Sequence, residues 1–122
     1  MIQQHIIITG AIFGMLSVIF GAFGAHALKK ILSTDQLHSF ETGVKYQMYH
    51  AILLVALGFN AESISSAIYW CFTIGIVLFS FSIYGLVISD AKGKKLRFLG
   101  PITPIGGLLL VIGWLLLLIH AF

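Results

Sequence analysis

Asp90-Ala91-Lys92-Gly93-Lys94-Lys95-Leu96-Arg97 holds four of the chain's seven basic residues, and it lies between stretches 63–89 and 98–122, which carry no Asp, Glu, Lys or Arg. The other three, Lys29, Lys30 and Lys45, fall between two further charge-free stretches, 1–28 and 46–61. A hydrocarbon core of about 30 Å needs roughly 20 helical residues. Unpaired backbone cannot sit in lipid, so each long apolar stretch reads as a helix. The pattern predicts an all-α integral membrane four-helix bundle with short loops, a single domain over 1–122. Its spans are expected near 6–28, 46–61, 64–89 and 104–121.

The second stretch is short for a span. Its helix is expected to start earlier, at a Ser33-Thr34-Asp35 cap, with an amphipathic lead-in from residue 36. Leu37, Phe40, Val44, Met48, Ala51 and Val55 then recur on one side, with Ser39, Thr42, Tyr46, Tyr49 and His50 on the other. A turn around Asn60 to Ser63 makes helices two and three an antiparallel hairpin. The fourth helix opens at Gly100-Pro101-Ile102-Thr103-Pro104, where Thr103 is expected to cap and Pro104 to take the first helical position.

Orientation follows from Lys and Arg beside the spans, which are retained on the cytoplasmic side. Segments 29–45 and 90–97 are therefore expected in the cytoplasm, with both termini and Glu62 outside. The run Ala25-His26-Ala27 looks like a signal-peptide cleavage site. The reading is rejected: residues 1–5 lack Lys and Arg, the apolar run is too long, and Lys29-Lys30 would resist export.

At 59% hydrophobic and 9% charged residues, the chain exceeds what a soluble domain of 122 residues could hide from water. A net charge of +3 is better matched to lipid headgroups than to nucleic acid, because the basic residues flank apolar spans. The one cysteine, Cys71, can form neither an internal disulfide nor a metal cluster.

Gly10, Gly14, Ser17, Gly21 and Gly24 leave one face of the first span nearly bare, a face suited to close helix packing. Cys71, Gly75, Ser82, Gly85 and Ser89 form a weaker counterpart in the third. His26 lies three residues before Lys29 and His50 five beyond Lys45, which suggests that both imidazoles share a depth near the inner mouth of the bundle. With Glu41, Lys45 and Gln47 they form a candidate polar site. It could contact a ligand or relay protons, or serve only to satisfy helix ends and interfaces. Glu41 and Lys45 stand four apart, the spacing of a helical ion pair. No third ligand completes a metal site, and no cofactor is expected. Nucleophile elbow, phosphate loop, paired carboxylates and Cys-x-x-Cys are all missing from the sequence, so no catalytic residues are assigned and an enzyme is not expected. Small multidrug exporters share the four-span length but centre on a carboxylate in the first span, and this one has none.

Two segments carry a family resemblance, Gly21-Ala22-Phe23-Gly24-Ala25-His26-Ala27-Leu28-Lys29 and Phe40-Glu41-Thr42-Gly43-Val44-Lys45-Tyr46-Gln47-Met48-Tyr49-His50-Ala51. Gly100-Pro101-Ile102-Thr103-Pro104-Ile105-Gly106-Gly107 and Gly113-Trp114 extend it over the whole chain. The sequence resembles the domain of unknown function 423, also called uncharacterised protein family 0382, with a eukaryotic relative termed transmembrane protein 256. The resemblance implies a multi-pass protein of the bacterial cytoplasmic membrane and brings no activity or catalytic residue with it. The leading expectation is a non-enzymatic component acting through helix packing or interaction, in contact with the bilayer and with a homo-oligomer or membrane-protein partner. The alternatives are a small oligomeric transporter or channel subunit and, more weakly, a haem or metal binder. No small-molecule ligand is assigned.

Overall fold

The computed structural model describes residues 3–60 and 64–122. Among these residues there are four long helices and no strand. They are α1 (Gln3–His26), α2 (Thr34–Gly58), α3 (Ser66–Ala91) and α4 (Ile102–Ala121). The turn between α2 and α3, with Glu62, lies partly outside the described residues.

Among the described residues, three helical segments are long and apolar enough to cross a membrane: Gln3–Lys30, Ser66–Ala91 and Arg97–Ala121. The exception is α2, whose polar first half lowers its hydropathy, although its 25 residues extend about 37 Å. Val18, Ile52 and Val111 remain 62%, 61% and 61% exposed, an outward apolar surface that suits lipid and not water.

Helix ends follow local chemistry. Ser33 accepts from Gln36 N at 3.1 Å while Gln36 Oε1 accepts from Ser33 N at 2.9 Å, a reciprocal box that starts α2. Lys45 therefore stands inside a helix and not in a connector. Gly93, at φ +79°, ends α3 in a Schellman turn, with Lys94 N bonding Ser89 O and Gly93 N bonding Asp90 O, both at 3.0 Å. The start of α4 differs from expectation. The helix begins at Ile102 after Pro101, so Thr103 lies within it, and its hydroxyl bonds Ser82 on α3 instead of capping.

α1 and α2 pack antiparallel along their length. Gly24 meets Phe40, Gly21 meets Val44, Gly14 meets Ala51, Gly10 meets Val55 and Ile7 meets Gly58. The small-residue stripe of α1 thus lies against α2. α3 and α4 form a second close pair, in which Gly106 sits on the Leu78–Phe79 backbone and Gly113 on the Phe72 ring. There α3 widens into a π-turn, Val77–Phe81.

α2 joins the pairs. Its Val44, Ala51 and Val55 side faces α1, while Gly43, Gln47, His50 and Leu54 are buried on another side. The periodicity identified only the first of these faces and put His50 on a polar one. Gln36 Nε2 donates to Asp90 Oδ2 at 2.9 Å, joining the first turn of α2 to the last of α3. The connectors bearing Lys29, Lys30 and Lys92 to Arg97 consequently gather at one end of the bundle.

Candidate polar site in the bundle interior

Gln47 is at the centre of the interior, fully buried. Burying a primary amide in lipid is costly unless both ends are bonded. Here Nε2 donates to Phe13 O on α1 at 2.8 Å and Oε1 accepts from the Tyr84 hydroxyl on α3 at 2.7 Å. Phe13 O also accepts from Ser17 Oγ at 2.8 Å. One side chain of α2 therefore ties three helices together.

Tyr84 can reach Gln47 because Gly43 has no side chain, and a Cβ there would lie 2.8 Å from the tyrosine ring. One turn earlier Ser80 Oγ donates to Gly43 O at 2.7 Å. The rings of Phe20, Phe40 and Phe81 pack round Tyr84, with centroids 5.0 to 5.7 Å away.

His50, one turn above Gln47, is also buried. Its Nδ1 lies 2.7 Å from Tyr46 O, and Trp114 Nε1 of α4 donates to its Nε2 at 3.0 Å. Accepting at Nε2 requires a neutral ring whose proton is on Nδ1, where it is donated to the Tyr46 carbonyl. Both nitrogens are then occupied by protein groups. Towards the opposite end, the Thr9 and Tyr69 hydroxyls bond at 2.7 Å across α1 and α3. Thr73 Oγ1 is the one buried side-chain polar atom without a partner among the described residues.

The five candidate residues do not converge. In the α1–α2 register His50 stands level with Gly14, whereas His26 stands level with the first turns of α2. About 11 residues separate these levels, or about 17 Å at 1.5 Å per residue. The expected common depth for the two histidines does not hold, because α2 begins at Thr34 and has completed four turns before His50. His26 is exposed, as are Glu41 and Lys45, which line a small cleft with Gly21, Gly24, Phe40 and Val44. Only Gln47 and His50 belong to the interior. Tyr84, Ser80, Trp114 and Thr9 complete its polar bonds, and no spacing in the sequence pairs them. Among the described residues, no three of His, Cys, Asp and Glu cluster as metal ligands.

Residues 20–107 match the family model described as protein of unknown function (DUF423). A UPF0382 membrane protein of Staphylococcus haemolyticus, SH2409, is 43% identical over 95% of this chain and 93% of its own length. Another from Staphylococcus saprophyticus is 42% identical over 95% of each chain, and YwdK of Bacillus subtilis is 39% identical over 94% of each. No solved structure matches. With a matched segment that takes in all of α2 and α3 and relatives aligned nearly end to end, the chain belongs to the DUF423 family of UPF0382 membrane proteins.

Proposed function

We propose that the protein is a non-enzymatic, four-span component of the bacterial cytoplasmic membrane that acts through its packed helices, as an interaction partner of other membrane proteins or of itself. The observation carrying this reading is the use of the interior polar groups: Gln47, Tyr84, Ser80 and His50 are each bonded to a neighbouring helix or to their own backbone. Side chains so engaged hold helices together. In this reading α2 spans as well, since it lies along α1 from Phe40 to Gly58. The basic connectors then face the cytoplasm and both termini face outward. Alkaline-phosphatase fusions should be silent after Arg97 and active at the C-terminus.

A second reading, a small oligomeric transporter, draws on a cleft of about 360 Å³ between α2, α3 and the start of α4, which includes Ser39, Thr42 and Thr103. Flux in liposomes separates the two. The packing reading expects proton and cation leakage equal to that of empty vesicles. A flux above that of empty vesicles, lost in a Ser39→Ala, Thr42→Val double variant, would favour transport.

A further inference from the structure

Between α1 and α2 an apolar groove of about 490 Å³ opens on the outer surface of the bundle, with Gly10, Gly14, Met15, Met48 and Ile52 among its lining residues. A Cβ at Gly14 would meet only Ala51 Cβ, at 3.8 Å, and one at Gly21 only Val44 Cγ1, at 3.5 Å. Both are ordinary contacts, so packing between the two helices does not require glycine at either position. Glycine in a helix interior is nevertheless less favourable than alanine. Gly14 lines this groove and Gly21 the smaller cleft beyond it, and a side chain at either would narrow the opening.

Towards the basic end the seam continues into a smaller cleft of about 140 Å³, flanked by Lys45 and Glu41. From Lys45 to Ala56, at the far end of the groove, is about 16 Å of helix, close to half of a 30 Å hydrocarbon core. The groove and the smaller cleft together thus extend about as far as one leaflet is deep, with the Lys45 ammonium in the cleft on the headgroup side. Glu41 stands one turn, about 6 Å, further towards the connector. Neither charge forms an ion pair or side-chain hydrogen bond among the described residues. A cation followed outward by an anion is the reverse of a headgroup in which a phosphate is followed by an ammonium.

We propose that this groove binds one acyl chain of an ethanolamine phospholipid from the leaflet on the side of the basic connectors, with Lys45 meeting the phosphate and Glu41 the terminal ammonium. The site is independent of whether the protein acts by packing or by transport. A second copy of the chain would fill the apolar part but would not account for the order of the two charges.

The test is native mass spectrometry of the delipidated protein in non-ionic detergent, offered phosphatidylethanolamine, phosphatidylglycerol or phosphatidylcholine with identical acyl chains. Phosphatidylethanolamine should be retained several-fold over the other two. Glu41→Gln should remove its advantage over phosphatidylglycerol, and Lys45→Gln should lower retention of all three by about fivefold. Gly14→Leu should block the groove and abolish the adduct; if that variant does not fold, the two charge variants on the exposed rim still decide the matter. Equal retention of the three lipids by the wild type would overturn the proposal. So would an unchanged adduct in Gly14→Leu, or a dimer crosslinked through cysteines at Met48 and Ile52.

Discussion

Along the α3–α4 seam Gly75, Gly106 and Gly113 touch their neighbours as closely as they can, whereas along the α1–α2 seam tight and open glycines alternate. A Cβ at Gly75 would lie 2.7 Å from Leu110, one at Gly113 2.8 Å from Phe72, and one at Gly106 would run into the Phe79 backbone nitrogen. On the other seam Gly10 and Gly24 are equally tight, at 2.8 Å from Val55 and 2.9 Å from Phe40, but Gly14 and Gly21 are not. In lipid, helices adhere through contact and hydrogen bonds with no water to exclude, so the first seam is closed from Gly106 to Gly113 and the second is held at intervals.

The contrast can be broken most severely at Gly106. Gly106→Ala drives a methyl into main chain that no side-chain rotation can clear, and should cost about 3 kcal/mol in detergent-titrated unfolding. The two glycines facing Ala51 sharpen it next. Gly10→Ala should lose about 2 kcal/mol against the Ala51 and Val55 backbone. Gly14→Ala should be neutral or slightly stabilising in the same titration. If the two variants behave alike, the seam is uniform and the contrast fails.

Gln47→Leu should cost about 1.5 kcal/mol, because it strands the Tyr84 hydroxyl. Adding Tyr84→Phe to it should cost less than the sum of the single changes, which a double-mutant cycle reads directly. Trp114→Phe, removing one interhelical bond at the half-exposed edge of α4, should cost only about 0.6 kcal/mol.

Lengths and ends of helices were legible in the sequence where local chemistry sets them. The charge-free stretches mark α1, α3 and α4, and the Ser33-Thr34-Asp35 run marks the start of α2, although the Gln36 half of its cap shows only in the structure. The interior was legible only in part. Gln47 and His50 stand out as polar residues in an apolar run, yet their partners Phe13, Tyr84 and Trp114 lie 34 to 64 residues away, and helical periodicity carries no information about such pairings. The two buried sides of α2 blur the amphipathic pattern, since Val44 and Gly43 are both turned inward against different neighbours. Thr103 reads as a cap because hydroxyls favour that position. Its actual bond to Ser82 depends on how α4 crosses α3.

The wide turn at Val77–Phe81 has a consequence for the whole second half of α3. Each residue of a regular helix advances the facing by about 100°. Shortening that turn by one position would swing every later side chain through about this angle, carrying Tyr84 away from Gln47 and Ser82 away from Thr103 while leaving Phe72 and Gly75 against α4. A single additional residue is therefore what allows one rod to keep two sets of neighbours at once.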